Sequence, residues 1–310
     1  MVRRDCLFLL CSLFVGVCQA QDLAPRAYVI TPIHSNAVTL TYSFFDGNIN
    51  FEGTIPITGA TARINASVFN YAHSLSFFGR SANLLVALPY GVGHLRGSVS
   101  GAEAFAYRSG LLPFVFRFSV NLIGGPAMKV DEFVKWQQKR LLGASFRLVP
   151  PTGQYDPTKL INLGSNRWAL KPELGYSERW GHWILDAYGG VWFYTTNPEF
   201  FSHNQFSPDT NTQSQSPIAS FEGHVSYDFK PRLWVSLDVN YWFGGTTSMN
   251  GVENPVTLQR NSRVGATAAI PLSRRQAVKL SYSNGAYISY GGNYQNISIA
   301  WQYSWLGRPN

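Results

Sequence analysis

Apolar and polar residues alternate along most of the chain, most clearly in SFEGHVSYDFKPRLWVSLDVNYWF, Ser220–Phe243. In its first half Phe221, Val225, Tyr227 and Phe229 fall on odd positions, and Ser220, Glu222, His224, Ser226 and Asp228 on even ones. Successive strand side chains point to opposite faces, so this pattern predicts a strand with one apolar and one wet face. Lys230, Pro231 and Arg232 make a tight polar turn. Leu233, Val235, Leu237, Val239, Tyr241 and Phe243 then alternate with Ser236, Asp238 and Asn240. Each predicted strand is about ten residues or longer, enough to cross a bilayer at a tilt, whereas strands of soluble sandwiches run to about five or six.

The same alternation recurs elsewhere. Apolar positions at Val38–Phe44, Ile64–Val68, Ala82–Leu88, Phe114–Leu122, Leu142–Leu148 and Trp168–Tyr176 predict six strands, the third running on past Pro89. Trp183–Phe193, the two arms of the hairpin above, Val264–Ile270, Val278–Tyr282 and Ile297–Tyr303 predict six more. The connections alternate in length. His73–Ser81, Glu178–Gly181, Lys230–Pro231 and Pro271–Arg275 are short; Asp46–Gly59, Pro150–Asn166, Asn197–Ser216 and Thr247–Thr257 are long. Short turns on one side and long loops on the other are the habit of a membrane barrel with both termini on the short-turn, periplasmic side. Two connections depart from it: a short external one near Tyr290–Asn293, and a long internal one, Gly124–Lys139, whose VDEFVKWQQKR core reads as an amphipathic helix. Trp168 at an outer strand end, and Trp183, Trp301, Tyr303 and Trp305 at inner ends, fall where aromatic girdles sit. The expected fold is therefore all-β: a single transmembrane antiparallel up-and-down barrel of about 12 strands with one short periplasmic helix.

Composition sharpens this picture. Arg3 and Arg4, the apolar run Cys6–Val17 and the small residues before Gln21 predict a secretory signal peptide, residues 1–20, with the barrel occupying 21–310. All three cysteines lie in that leader, so the mature chain has no thiol, disulfide or cysteine metal site. Its few histidines show no metal-ligand spacing, and no phosphate loop is present, so no cofactor is expected. After the leader no apolar stretch approaches the length of a spanning helix. Aromatics are plentiful at 15% and charged residues few at 14%, as strands with two opposite faces require. The formal net charge of +8 falls to +7 without Arg3, Arg4 and Asp5, and its lysines and arginines are scattered singly. A nucleic-acid partner is therefore not expected, and the charge belongs to lumen and surface.

Four segments carry a family resemblance. SFRLVPPTGQYDPTKLINLGSNRWALKPELGYS (Ser145–Ser177), NLIGGPAM (Asn121–Met128), FEGHVSYDFKPRLW (Phe221–Trp234) and LQRNSRVGATAAIPL (Leu258–Leu272) resemble the family named "Putative MetA-pathway of phenol degradation". The resemblance implies an outer-membrane barrel of a Gram-negative bacterium that acts as a transporter or channel, loosely related to the long-chain fatty-acid channels and tied by name to aromatic catabolism. It implies outer-membrane lipid, a small solute and, during biogenesis, the barrel-assembly machinery as partners. It supplies no binding-site residues. The fatty-acid channels carry an N-terminal hatch, whereas Gln21–Ser35 is too short for a globular plug.

Polar positions that alternate with lipid-facing ones point inward. They place Arg63, Arg117, Arg147, Lys171, Arg263 and Lys279 against Glu173, Asp186, Glu222 and Asp238, with His224 beside them. Buried charge must pair or meet water, so the set is either a paired network bracing a narrow barrel or a pore lining. Trp192, Tyr194 and Trp242 also face inward near the outer mouth, either as a stacking slide for small aromatic solutes or as filler. His224, Ser226 and Asp238 outline a hydrolase triad, but strand amides spent in the ladder leave no oxyanion donors. The turn-rich Pro150–Asp156 and Asn162–Trp168 are external loop candidates for narrowing the pore, and NPEFF at Asn197–Phe201 is expected to expose two phenylalanines over the same mouth. The function expected is a channel or transporter for small, hydrophobic or aromatic solutes; the alternatives are a structural surface barrel without transport and a hydrolase using Ser226.

Overall fold

The computed structural model describes residues 23–50, 57–99 and 101–307. The predicted signal peptide lies outside them. Sixteen strands follow in order: β1 (Ser35–Asn50), β2 (Ile57–Phe77), β3 (Arg80–Val99), β4 (Ala102–Leu111), β5 (Val115–Ile123), β6 (Arg140–Val149), β7 (Ala169–Trp180), β8 (Trp183–Tyr194), β9 (Gln213–Gln215), β10 (Ile218–Lys230), β11 (Leu233–Gly244), β12 (Thr247–Met249), β13 (Val252–Asn254), β14 (Gln259–Pro271), β15 (Gln276–Ile288) and β16 (Gly291–Leu306). The last pairs back onto the first, Ser35 opposite Leu306 through Asn50 opposite Gly291, and closes the barrel. Closure removes the sheet edge, which hydrocarbon does not tolerate. β9, β12 and β13 form a separate three-stranded sheet in the external loops.

β4 and β5 share one edge of β3, β4 beside its outer half and β5 beside its inner half. Leu112–Phe114 divides them, and Pro113 has no N–H to give a ladder. Counted as one broken strand they bring the wall to twelve. All ladders are antiparallel, and inner connections such as Phe78–Gly79 are tight. Phe78 and Gly79 both have positive φ, 48° and 75°, as a two-residue hairpin turn of matched twist requires.

The outward face is apolar where the sequence requires it. Leu237, Val239, Phe221, Leu174, Ile297 and Ile299 are all exposed there. Trp183, Phe229 and Trp301 sit outward at inner strand ends, and Trp168 and Phe243 at outer ends. The helix, α1 (Val130–Lys135), is shorter than the amphipathic pattern predicts; Trp136 leaves it with extended backbone.

On one wall, one sequence expectation holds and two fail. β3 runs on past Pro89 as expected, to Val99, but β4 (Ala102–Leu111) is a strand that the alternation does not signal. On β2 the faces are reversed: Phe69 and Tyr71 are exposed outside, so Arg63, Asn65 and Ser67 also point out, and Ile64, Ala66 and Val68 point in. The outer part of β2 rises above the apolar band. Its inward side packs under loops, so there the apolar residues mark the inside of the molecule rather than the lipid.

Candidate functional site: the occluded lumen

The lumen is filled at its inner end by the segment before β1. Residues 23–34 cross the interior, with Tyr28 and Ile30 fully buried. The Arg26 guanidinium reaches Asp228 at 2.7 Å and lies over the Trp234 ring at 4.3 Å. The Arg26 amide donates to Asp186 (3.3 Å), the Ala27 amide to the Tyr188 hydroxyl (3.0 Å), and Asn121 donates to the Tyr28 carbonyl (3.2 Å). The Tyr28 hydroxyl donates to Glu173 (2.9 Å) and lies 3.0 Å from the Ser145 hydroxyl, while Arg117 covers its ring at 5.0 Å. That ring fits between two register partners, Gly143 and Gly175. A Cβ at Gly143 would stand 2.2 Å from the ring, and one at Gly175 2.1 Å. Both positions face inward, so the absent side chains form a slot for the ring. Nearer the inner rim Ile30 packs with Met128 and Leu141, and the amides of Ile33 and His34 bond to Met128 and Ser74. Residues 23–34 are thus too few to be globular but enough to obstruct, because a short segment in a narrow barrel borrows the wall for its partners.

Above this segment runs a chain of charges on the inward positions of β7, β10, β11 and β14. Lys171 pairs with Glu173 at 2.7 Å and Glu222 at 3.2 Å. His224 Nε2 stands 3.7 Å from Glu222, its Nδ1 is 2.9 Å from Asp238, and Thr267 donates to the other Asp238 oxygen at 2.8 Å. All five ionisable members are buried. Arg117 approaches Glu173 at 3.7 Å, and Arg147 lies over the Trp192 ring at 5.8 Å. Arg263, also buried, donates to Ser283 and to the Tyr294 carbonyl. Lys279 points inward at the solvated inner end of β15, opposite Ala300.

Of the eleven charged or histidine positions expected in the lumen, Arg63 is the one that is not there. It stands outside, 73% exposed, bonded to Asp46. The hydrolase outline is not assembled either: both nitrogens of His224 face carboxylates, and the buried Ser226 hydroxyl has no hydrogen-bond partner among the described residues.

The outer half of the lumen carries two apolar clusters, with buried Arg167 over the Tyr194 ring at 4.6 Å. Trp192 and Trp242 are fully buried in one cluster with Val149, Ala169 and Ile218, and Tyr194 packs against it. Trp192 stacks on Tyr194 at 6.4 Å, and Trp242 donates to Gln259 at 2.9 Å. Across the lumen Ile49, Ala60, Ala62, Leu95 and Tyr294 form a second cluster joined by Ile161 of the long loop after β6. The sequence reading missed this second cluster because it assigned the apolar face of β2 to lipid. The loop 150–168 also closes the seam left by the β4–β5 break. Gln154 donates its amide to Leu111, Thr152 accepts from the Phe114 amide, and Arg108 donates to the Ile161 carbonyl at 2.6 Å. Hydrogen bonds from Thr158 and Lys159 hold the Asp156 carboxyl down to about 2, and burial pulls the Arg167 guanidinium down to about 10. Phe200 and Phe201 are buried under the external loops rather than exposed, because Asn211 and Ser202 fold that loop on itself.

Fold and interior together define a transmembrane barrel whose lumen is obstructed at the inner end by residues 23–34 and lined toward the outer end by two apolar clusters. The chain belongs to the family described as "Putative MetA-pathway of phenol degradation", which matches residues 45–287. No curated protein matches it. Among solved structures its fold is similar to that of an outer-membrane channel from Pseudomonas putida F1, with TM-score 0.74 at 15% identity over 92% of this chain and 100% of that one. It is also similar to the translocator domain of the autotransporter NalP from Neisseria meningitidis, with TM-score 0.51 at 10% identity over 89% and 90% of the two chains. At such identities the likeness is one of fold.

Proposed function

We propose that this protein is an outer-membrane channel for small apolar or aromatic solutes, exported by its N-terminal signal and closed at its inner end by residues 23–34. The observation that carries this reading is the division of the lumen. Its outer half is walled by two apolar clusters. Its inner half is held shut by contacts that a displaced segment can exchange for water. The Lys171–Glu173–Glu222–His224–Asp238 charges interlock below Trp192, and above them Arg147 and Arg167 lie over the Trp192 and Tyr194 rings. Apolar pockets with a few fixed polar groups are the usual sites for small ligands. In this reading Trp192, Tyr194 and Trp242 form the aromatic contact for the solute, and the Lys171–Glu222–His224–Asp238 chain sets the floor. Membrane lipid surrounds the barrel, and the assembly machinery for such barrels inserts it.

The test is a planar-bilayer recording of the refolded protein with and without residues 21–33, followed by liposome uptake of labelled aromatic acids. The shortened chain is expected to conduct and to admit solute several-fold faster. A barrel that stays silent after shortening would support the second reading, a structural barrel without transport, for which the interlocked charge chain is the favouring observation.

A further inference from the structure

The tall wall bears a second feature, on its outer surface, that the channel reading does not use. The antiparallel registers align outward-facing residues of five adjacent strands. One row crosses β16 to β4 as Gln295, Asp46, Arg63, His94 and Tyr107, and the row above it as Asn293, Asn48, Thr61, Arg96 and Phe105. Directly opposed side chains stand within about 5 Å of one another, so each row is a continuous strip. Asp46, Thr61, Arg63, His94 and Arg96 line a recess of about 440 Å³ there. Asp46 takes only the Nε of Arg63; the terminal guanidinium nitrogens have no partner among the described residues. Arg96 lies over Phe105 at 5.6 Å and His94 against Tyr107 at 4.9 Å. Two arginines thus face one carboxylate in the recess, with Glu103 one row further out.

Immediately below, β1 and β16 turn apolar, while β2 continues outward with Asn65 and Ser67. Phe44 and Tyr42 precede Asp46 on the outward face of β1, opposite Ile297 and Ile299 of β16. These four line one end of a broad outward depression of about 1070 Å³ that runs on past Leu280 and Ala266 to Tyr227, Phe229 and Trp183 at inner strand ends. Small Ala266 and Ala268 on β14 leave the depression between taller neighbours such as Leu237 and Tyr282. An amide-rich recess holding two arginines thus borders the apolar trough at β1, where Asp46 and Asn48 stand above Phe44 and Tyr42. Elsewhere on the outer rim β8 and β11 present outward Phe193 and Phe243, with Arg260 over the Phe243 ring at 5.9 Å.

We propose that this sector binds a phosphorylated glycolipid of the outer leaflet, of the lipid A type. Its phosphates would meet Arg63 and Arg96, its sugar hydroxyls the Asn48, Asn293 and Gln295 amides, and its acyl chains the trough. Arginine suits a phosphate because its planar fork donates two parallel bonds. Amides and aromatic faces suit a sugar, and the trough takes chains that a free phosphate lacks. The proposal rests on the outer-membrane reading for its leaflet, but not on passage of solute.

The full mature chain in phosphatidylcholine nanodiscs would be titrated with bisphosphorylated lipid A, dephosphorylated lipid A, phosphatidylglycerol and inorganic phosphate, with bound lipid read by native mass spectrometry. Bisphosphorylated lipid A is expected to bind about tenfold tighter than its dephosphorylated form, and R63S/R96S to erase about that difference, since a charge-assisted bidentate bond is worth roughly that factor. Millimolar phosphate is expected not to compete. Arg63→Ser alone, at a position 73% exposed, serves as the second variant should the double one misfold, with a partial loss expected. Equal binding by the variants, equal binding of phosphatidylglycerol, or displacement by inorganic phosphate would each overturn the proposal. Conductance and uptake in the variants should match the parent. A change there with lipid binding intact would count against the proposal and leave the channel reading standing.

Discussion

The two halves of the lumen are closed by different means. At the inner end a separate segment is held by hydrogen bonds, one ion pair and a ring in a glycine slot. At the outer end the wall closes on itself, through Trp192, Trp242 and Tyr294 packed among aliphatic side chains. The first closure can be withdrawn without disturbing any ladder, because residues 23–34 contribute no strand. The second is part of the barrel and can only be remodelled. The inner end is thereby suited to a gate and the outer end to recognition.

The largest expected effect is on the inner closure. Removing residues 21–33 is expected to raise conductance several-fold while leaving heat-dependent gel mobility intact, because the ladders stay complete. A finer probe is the glycine slot. Gly143→Ala or Gly175→Ala places a methyl group about where the Tyr28 ring lies, 2.2 Å and 2.1 Å from its atoms, so the ring must leave. Each variant is expected to conduct like Tyr28→Ala, and Gly143→Ala combined with Tyr28→Ala no more than either alone. That non-additivity is the mark of two changes acting on one contact. Additive conductances would mean that the glycines shape the pore by another route.

Next in size is the charge chain between the halves. Lys171→Met would leave Glu173 and Glu222 facing each other, both buried. Breaking a buried pair on one side costs about 3 to 5 kcal/mol. The temperature at which the folded gel band is lost should fall clearly. Removing all three charges together, as Lys171→Met with Glu173→Gln and Glu222→Gln, should recover much of it. Failure of that rescue would mean the chain is solvated and its pairs contribute little.

Much of this was legible in the sequence, and what was not has a physical cause. Period-two alternation located all twelve wall strands, because a strand with lipid on one side and polar groups on the other has no other pattern available. It placed Lys171, Glu173, Glu222, His224 and Asp238 on inward positions, and the hairpin setting His224 across from Asp238 is in register. It failed where a strand leaves the membrane. Above the apolar band the solvent is outside, so the meaning of the two faces inverts, and Ile64 and Arg63 exchange roles on β2. It also failed for residues 23–34, which have no period at all; their partners lie far along the chain, as with Tyr28 and Glu173. The buried state of Phe200 and Phe201 rests on loop hydrogen bonds from Asn211 that no periodicity signals.

On the outer closure a smaller change is expected. Trp192→Ala should slow uptake of aromatic acids relative to aliphatic ones of similar size, because stacking is lost while apolar area shrinks for both. Trp242→Ala should act similarly and also leaves Gln259 without its indole donor. If both variants treat the two solute classes alike, the rings are packing alone.

The smallest expected effect is none. Ser226 is buried on the inward face of β10, two residues from His224. A hydrolase would need its hydroxyl on the histidine nitrogen opposite Asp238. That nitrogen, Nε2, faces Glu222 at 3.7 Å instead, and the lumen above it is filled by Trp192 over Lys171. Ser226→Ala is therefore expected to leave conductance, uptake and gel mobility unchanged, while His224→Gln, which loses two carboxylate contacts, lowers thermal stability measurably. If Ser226→Ala abolished function in a folded barrel, the inner half of the lumen would hold chemistry rather than a gate.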